Sequence, residues 1–279
     1  MTGNLRLAVL GGDGREARIA ARAAAEGYDV VSFAVPGGPR PAASLEQALR
    51  GAAVAVLPVP AMTGDRLFAP DWPEPLHLSD QALAGMAAGG LLVSGSAEAG
   101  LRRRALALDI RVATYGDDPG LAALRGPLIA AAAVAELARR GRMPGRGEVA
   151  GVVGLGRIGA PLARLLAGGG ARVIGFARKP MAAFQPAEVA IAPLRDLDAL
   201  AGGFGFLAAT CGGWAVGPSV LRALRPAATV LDLASPPGSF DAGGDADLAR
   251  RIIWLRGLGG ALPEALGDAQ WQAIRARLA

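Results

Sequence analysis

Short apolar runs alternate along the chain with longer stretches in which alanine, leucine and arginine recur at helical spacing. Residues 7–34 (LAVLGGDGREARIAARAAAEGYDVVSFA) and 150–177 (AGVVGLGRIGAPLARLLAGGGARVIGFA) align with each other without a gap. Each has an apolar strand, a glycine-rich turn, a helix and a second apolar strand that ends in Phe-Ala. Strands that are apolar throughout are typical of parallel sheets covered on both faces. The pattern therefore predicts the same β-α-β unit twice.

The later strands repeat more loosely. Residues 52–60 resemble 205–213, and residues 89–97 resemble 228–236. We therefore predict an α/β protein with two doubly wound, parallel-sheet lobes. The alanine-rich stretch at 121–141 predicts a connecting helix between them. The predicted division is 1–120 for the first lobe, 121–145 for the connecting helix, 146–240 for the second lobe and 241–279 for a C-terminal segment with an amphipathic return helix.

Composition narrows the functional classes. The chain has 279 residues, of which 52% are hydrophobic and 19% charged, a balance that favours a large core over disorder. Its single cysteine, Cys211, and single histidine, His77, exclude a disulfide framework and a cysteine- or histidine-based metal site. His77 lies in a proline-rich segment and is expected in a surface loop. Proline, glycine or arginine interrupts every apolar run before the roughly 18 residues that a membrane span needs.

The chain begins in a strand pattern without a leader segment, so we expect a cytoplasmic protein. The net charge is +5, and Lys179 is the only lysine. The arginines are scattered and form no stripe, and a GC-rich genome that encodes arginine for lysine explains them. We therefore expect no nucleic-acid partner.

The second lobe contains a complete G-x-G-x-x-G motif between a predicted strand and a predicted helix. In this context Gly154 allows the tight turn, Gly156 lets the backbone approach a pyrophosphate, and Gly159 permits close packing of helix and strand. Arg157 and Ile158 complete the turn, whose N–H groups would face the phosphates. The motif predicts a Rossmann-like dinucleotide site. The alternative is a packing turn in a chain with 41 glycines.

The first lobe departs from this motif. Asp13 occupies the second glycine position and Glu16 the third, and two carboxylates there would repel a pyrophosphate. We expect a Rossmann-like shape without a dinucleotide, and a turn that serves the substrate through Arg15. The alternative is that Asp13 only caps the helix.

The end of the second strand of the cofactor lobe indicates which dinucleotide binds. NAD enzymes usually carry an acidic residue here for the ribose hydroxyl. The sequence instead has Ala177, Arg178 and Lys179, and arginine suits the 2′-phosphate of NADP. NADP is therefore favoured over NAD. The alternative is a solvated basic turn.

Loops at the carboxyl ends of parallel strands line the ligand crevice. This places Thr210, Cys211 and Ser235 near the nicotinamide ring. Cys211 is expected to be a small buried residue rather than a nucleophile, since no histidine is near it in sequence. No catalytic residue is identified. Asp232 and Asp241 are candidates for a general base by position alone, and each could equally be a structural cap.

Four segments together resemble the dipicolinate synthase A-subunit family. They lie in order along most of the chain and are more specific than the glycine motif alone. They are LAVLGGDGRE (7–16), VLPVPAMTGD (56–65), GVVGLGRIGAPLAR (151–164) and VLDLASPPGSFD (230–241).

The resemblance implies NADP-linked oxidation of a dihydrodipicolinate-type precursor to dipicolinate, a small dicarboxylate. It also implies that the partner is the flavoprotein-like B-subunit of the same synthase, and a homo-oligomer is a further expectation. On the cofactor side it places Gly154, Gly156, Arg157, Ile158, Gly159, Arg178, Thr210 and Ser235. On the substrate side it places Asp13, Arg15, Thr63, Ser94 and Ser96.

The chain also departs from the family pattern. Family members tend to open the interlobe helix with a Pro-Thr-x-Glu-Gly-like motif, whereas this chain has Arg125 in place of the glutamate, followed by Gly126 and Pro127. A second hypothesis is therefore a non-catalytic NADP-binding or scaffold protein that acts only with a partner. A 2-hydroxyacid dehydrogenase is disfavoured because it would need a histidine near the end of the cofactor lobe.

Overall fold

A computed structural model of the chain describes residues 5–63, 66–178 and 186–278. The chain forms two compact units. The first comprises Met1–Leu124 together with Leu262–Ala279, and the second comprises Arg125–Ala261.

The first unit is built on a five-stranded parallel sheet. Its strands are β1 (Arg6–Leu10), β2 (Asp29–Phe33), β3 (Val54–Val56), β7 (Leu91–Ser94) and β8 (Arg111–Thr114), in the order β2-β1-β3-β7-β8. A small antiparallel sheet follows β3 and contains β4 (Met62–Thr63), β5 (Arg66–Leu67) and β6 (Leu76–His77). The helices are α1 (Gly14–Ala25), α2 (Leu45–Leu49), α3 (Asp80–Leu83), α4 (Ala99–Ala107) and the C-terminal α10 (Pro263–Arg275). His77 is exposed, as expected, but it lies in a short strand rather than a loop.

The second unit has a six-stranded parallel sheet. Its strands are β9 (Val149–Val153), β10 (Arg172–Ala177), β11 (Ala190–Pro193), β12 (Phe206–Ala209), β13 (Thr229–Asp232) and β14 (Ile252–Trp254), in the order β11-β10-β9-β12-β13-β14. The helices are α6 (Gly159–Gly168), α7 (Leu197–Leu200), α8 (Pro218–Ala223) and α9 (Ala246–Arg250). Short 3-10 turns at Leu194–Asp196 and Ala201–Gly203 flank α7.

The two sheets preserve the sequence repeat in both strand order and register. The order β2-β1-β3-β7-β8 of the first unit corresponds to β10-β9-β12-β13-β14 of the second. Leu10 pairs with Phe33, and the equivalent Val153 pairs with Phe176. The central strands are buried, as their unbroken apolar sequences require. The prediction of two Rossmann-like, doubly wound lobes is therefore confirmed.

The C-terminal helix belongs to the first unit because it packs along α1. The Arg18 guanidinium donates two hydrogen bonds to Asp268, at 2.6 and 2.8 Å. Trp271 is 1% exposed and donates from Nε1 to Glu26 at 2.9 Å. The second unit in turn continues beyond the predicted limit at 240, because β14 pairs with β13 and completes its sheet.

The connecting helix, α5, spans Pro119–Arg139, and the boundary between the units falls inside it. With 21 residues and a mean hydropathy of 1.6 over its most apolar window, it is long and apolar enough to cross a membrane by length and composition. Arg125, Gly126 and Pro127 interrupt its apolar sequence, as expected, but the expectation that such interruptions keep every segment below the limit does not hold for the averaged hydropathy of this helix. A core helix passes the same test, and Ala130, Ala133 and Leu137 of α5 are fully buried in the core of the second unit.

Candidate functional site

Two glycines of the motif in the second unit are required by the fold itself. Gly154 follows β9 with a φ of +90°, where side chains are strained, and its N–H donates to the Phe176 carbonyl at 2.8 Å. A Cβ at Gly159 would lie 1.8 Å from the Gly154 carbonyl oxygen and 2.9 Å from Thr210 Oγ1. The chain therefore turns back on itself at this point, and any side chain at position 159 would force the turn open.

Gly156 is different, because no contact among the described residues requires it. A Cβ there would have none of their heavy atoms within 4 Å, and its φ lies outside the left-handed range. Close by, α6 begins at Gly159 with no side chain capping its first turn and with no acidic residue in that turn. The Ala160 N–H donates to the Gly156 carbonyl at 3.1 Å, and Pro161 has no N–H. The N–H groups of Arg157, Ile158 and Gly159 take part in none of the described hydrogen bonds, so these three are available to an anion.

Thr210 and Cys211 lie against the glycine loop. The Thr210 hydroxyl donates to the Gly154 carbonyl at 2.8 Å, so it fixes the loop. The Cys211 Sγ lies 3.3 Å from the point where a Gly154 Cβ would be and 3.9 Å from the Val153 carbonyl. Burial raises the pKa of the Cys211 thiol, so at neutral pH it is protonated and poorly suited to act as a nucleophile.

The carboxyl end of β10 carries the residues predicted to select the dinucleotide. Ala177 is the last strand residue and pairs with Pro193. Arg178 follows, is exposed, and lies near enough to Cys211 to oppose the rise in the pKa of its thiol. Lys179 lies outside the described residues. The exposed Arg178 side chain can reach an anion at this edge of the sheet.

The loop after β13 is organised by Asp232, which is 2% exposed. Its carboxylate accepts hydrogen bonds from the N–H groups of Ala234, at 2.9 Å, and Ser239, at 2.7 Å. The loop between them carries Ser235, which is exposed. The other candidate for a base, Asp241, accepts from the Gly243 N–H at 2.8 Å. Both carboxylates therefore cap loops, and the geometry singles out neither as a proton acceptor.

Helix α5 also approaches the glycine loop. A Cβ at Gly126 would lie 2.0 Å from the Arg157 carbonyl oxygen, so glycine is required at this crossing. Arg125, which stands where the resemblance implies a glutamate, is therefore next to a residue that contacts the loop. Arg157 itself is exposed, and Ile158 is half-buried at the N-cap of α6.

The equivalent turn of the first unit is filled by its own side chains. The Asp13 carboxylate accepts from the Arg15 N–H, and Glu16 Oε2 accepts from the Asp13 N–H at 2.9 Å, which together form a capping box. The Arg15 guanidinium makes two hydrogen bonds of 2.8 Å to Asp13 and one of 2.8 Å to the Val59 carbonyl. Burial opposes ionisation of Asp13, but the Arg15 hydrogen bonds hold the pKa of its carboxyl below the ordinary value.

The sequence indicated that Glu16 would repel a pyrophosphate, but not that its carboxyl is buried. It has no exposed surface, and its Oε1 has no hydrogen-bond partner among the described residues. Burial raises the pKa of its carboxyl to about 7. A Cβ at Gly12 would lie within 2.3 Å of the Glu16 carboxylate. Carboxylates therefore occupy the helix end that a phosphate would need. The D-x-x-E spacing is the signal that could have predicted this capping box.

The remaining residues predicted on the substrate side follow β3 and β7. Thr63 ends β4, and its side chain is not among the described parts. Ser94 is fully buried, and its hydroxyl donates to the Ser96 carbonyl at 2.6 Å, so Ser94 shapes the loop. Ser96 is exposed and lines a small cavity of ≈ 160 Å³, together with Met62 and Glu98.

Comparisons with known proteins are consistent with this architecture. Residues 6–115 match the family model described as the N-terminal domain of the dipicolinate synthase A-subunit. No curated protein sequence matches the chain at a significant level.

Solved structures match over nearly the whole chain. The dipicolinate synthase A-subunit from Bacillus halodurans has a TM-score of 0.82 at 18% identity, covering 100% of this chain and 99% of that one. The same component of dipicolinate synthase from Bacillus subtilis has a TM-score of 0.79 at 22% identity, covering 100% and 96%. Transhydrogenase from Sinorhizobium meliloti has 0.66 at 14% identity, covering 98% and 93%. The chain thus has the fold of these proteins, and its residues 6–115 are similar to the N-terminal domain of the dipicolinate synthase A-subunit.

Proposed function

We propose that the second unit binds NADP and that the protein oxidises a dihydrodipicolinate-type precursor to dipicolinate. The family supports the substrate class, and the fold supports a nicotinamide cofactor, since it is shared with a transhydrogenase and with D-lactate dehydrogenase from Escherichia coli. A 2-hydroxyacid dehydrogenase activity is disfavoured because the only histidine of this chain, His77, lies in the first unit.

The observation that carries the proposal is the open space around Gly156. A close contact or a left-handed backbone requires glycine at Gly154 and Gly159, but not at Gly156. Other glycines such as Gly168 also face open space, but Gly156 lies in the turn just before the uncapped start of α6, where a pyrophosphate can approach its backbone.

Arg178 supports NADP over NAD. Its exposed guanidinium stands at the end of β10, where an acidic residue would otherwise hold the ribose hydroxyl. Arginine forms bidentate hydrogen bonds with phosphate, and none of the described carboxylates lies within salt-bridge distance of Arg178.

The reaction makes modest demands on the protein. A dihydropyridine ring gives up a hydride from carbon and releases one proton, and becomes aromatic. When bound, NADP would supply the acceptor for the hydride, and the products would be dipicolinate, NADPH and a proton. The chain's own residues hold the reactants in register, and cations or N–H groups bind the two carboxylates of the substrate. Thr210 and the buried Asp232 fix the two loops at the carboxyl edge of the sheet where this occurs.

The second candidate is a protein that binds NADP but reacts only in complex with a partner such as a flavoprotein-like B-subunit. The observation that favours it is Arg125 in the position of the family glutamate, adjacent to the contact between Gly126 and the glycine loop. The two candidates differ in turnover by the isolated chain and not in NADP binding.

Thermal denaturation with NADP, NADPH, NAD and NADH, each with and without dipicolinate, tests the proposal. Binding at one hundred times the dissociation constant stabilises the folded state by about 2.7 kcal/mol. We expect a larger shift with NADP(H) than with NAD(H), and a further shift with dipicolinate. No shift with any dinucleotide would refute the proposal. A dinucleotide shift without an effect of dipicolinate would favour the second candidate.

The variant Arg178→Gln sharpens this test. We expect it to lower the affinity for NADP severalfold and to leave the affinity for NAD unchanged, because only NADP carries the 2′-phosphate. Arg172→Gln removes an equal charge from the amino end of the same strand and serves as the control. An equal loss of NADP and NAD affinity in Arg178→Gln would contradict the assignment.

A further inference from the structure

We propose that Arg256, held over the ring of Trp254, binds a carboxylate of the substrate. The inference rests on the proposed function for the identity of the ligand, and it adds a substrate residue that neither the glycine motif nor the family segments contain. The ligand class is a planar dicarboxylate such as dipicolinate.

The position of Arg256 follows from the sheet. Trp254 is the last residue of β14 and pairs with Asp232, the last residue of β13. Because all strands of this sheet run parallel, Arg256 emerges at the same edge as the glycine loop, Arg178 and Ser235. This is the edge at which open α/β sheets bind their ligands.

The Trp254 ring is fixed to the loop that carries Ser235. Its Nε1 donates to the Ala234 carbonyl at 2.9 Å. A Cβ at Gly238 would lie 3.3 Å from the indole, and Gly238 has a φ of +97°, so glycine lets the loop lie against the ring. Asp232 fixes both ends of this loop through its bonds to the N–H groups of Ala234 and Ser239. The indole is therefore a rigid platform next to Ser235.

The guanidinium of Arg256 lies on that platform, with its carbon 4.9 Å from the ring centroid. Stacking restricts the side chain and leaves the edge of the guanidinium fork free to donate hydrogen bonds. Arg256 is exposed, and none of the described carboxylates lies within 4 Å of it. By contrast, Arg250 of the same unit forms an ion pair with Asp247 at 3.2 Å. A guanidinium that is held in one orientation and has no acidic partner can form bidentate hydrogen bonds with a carboxylate of the substrate.

The negative charges of NADP and of the dicarboxylate need cationic partners, and the position of the exposed arginines supports the same assignment. Among the described residues of the second unit, exposed arginines lie just beyond the carboxyl ends of four strands, β9, β10, β11 and β14: Arg157, Arg178, Arg195 and Arg256. Arg195 pairs with the adjacent Asp196 at 3.7 Å, so its charge is already partnered. Arg157 belongs to the glycine loop and Arg178 to the end of β10, so the proposed NADP site accounts for both. Arg256 is then the arginine of this group that remains for the substrate.

Calorimetric titration with dipicolinate in metal-free buffer, with and without NADP, tests the proposal on the full chain. Arg256→Gln should raise the dissociation constant of dipicolinate at least tenfold and change that of NADP less than twofold. Arg256→Lys, which keeps the charge but loses the fork, should fall between Arg256→Gln and the wild type. The control is Arg172→Gln, which removes one charge at the opposite edge of the sheet and should change neither constant.

The outcomes separate this proposal from the function on which it rests. If Arg256→Gln binds dipicolinate as tightly as the wild type, Arg256 is not a substrate residue, and NADP binding still stands. If the wild type binds NADP but not dipicolinate, the inference is overturned together with the substrate class. If the wild type binds dipicolinate through Arg256 but no dinucleotide, the inference holds and the proposed oxidation fails.

Discussion

Alanine at two neighbouring glycines, Gly156 and Gly159, separates a cofactor site from a packing turn. The structure predicts opposite outcomes for the two substitutions. At Gly159 the new Cβ would lie 1.8 Å from a backbone carbonyl oxygen, so the loop must move. Overpacking of this kind costs about 1–3 kcal/mol. At Gly156 the Cβ would enter open space on a backbone that is not left-handed. There we expect the free energy of unfolding to stay within about 1 kcal/mol of the wild type, with a gain as the usual direction.

NADP affinity, in contrast to stability, should be sensitive to the substitution at Gly156. A methyl group at Gly156 occupies the space through which a pyrophosphate approaches the backbone, so NADP affinity should fall at least tenfold, or ~1.4 kcal/mol. The control is Gly168→Ala at the far end of α6, the helix that follows Gly156, where a Cβ also meets none of the described atoms within 4 Å. This control should leave both stability and affinity unchanged or raise stability slightly.

Urea denaturation of the ligand-free protein measures stability, and calorimetric titration with NADP measures affinity. The expected result is a stable Gly156→Ala protein that binds NADP poorly and a destabilised Gly159→Ala protein. Wild-type affinity in a stable Gly156→Ala protein would refute the reasoning, because the open space would then have no connection with a dinucleotide. Equal destabilisation by both substitutions would show that the whole motif is a packing turn.

Two further predictions concern buried carboxylates. The pKa of Glu16 is raised from 4.5 to about 7 in the folded protein, so its contribution to stability is fully present below pH 4.5 and is lost as pH rises through 7. Glu16→Gln keeps an acceptor for the Asp13 N–H and should flatten this decline in melting temperature between pH 4.5 and 7; an unchanged pH profile would contradict the buried, protonated state. Asp232→Asn replaces one of two acceptor oxygens by an amide and leaves the N–H of Ala234 or Ser239 unpaired, at a cost of about 1–3 kcal/mol in chemical denaturation. An Asp232→Asn protein as stable as the wild type would show that the loop does not depend on these bonds.

The fold could be predicted from sequence because its signals are local and repeated. Each β-α-β unit contains its strands, its turn and its helix within 28 residues, and the register of Leu10 with Phe33 recurs at Val153 with Phe176. The position of the C-terminal helix had no such signal. It docks through contacts such as Arg18 with Asp268, whose partners are 250 residues apart in the chain.

The sequence predicted which residues lie at the ends of strands, but not where their side chains point. The strand ends follow from topology, which is why Thr210 and Ser235 lie at the expected edge. The direction of a side chain does not follow. Ser94 was expected to face a substrate, but it points into the protein and donates to the Ser96 carbonyl. Trp254 and Arg256 are two apart at a strand end and so share a face, yet their stacking depends on a loop from β13.

The two copies of the repeat show how one backbone can serve two purposes. In the first unit Asp13 and Glu16 satisfy the N–H groups at the start of α1, and a buried carboxyl fills the space beside the turn. In the second unit glycines stand at the equivalent positions, and the N–H groups of Arg157, Ile158 and Gly159 at the start of α6 have no side-chain cap. A helix end that is left uncapped is less stable than one that caps itself, by about 1 kcal/mol per cap. A ligand that binds there recovers this energy, so the second turn is suited to binding and the first to stability.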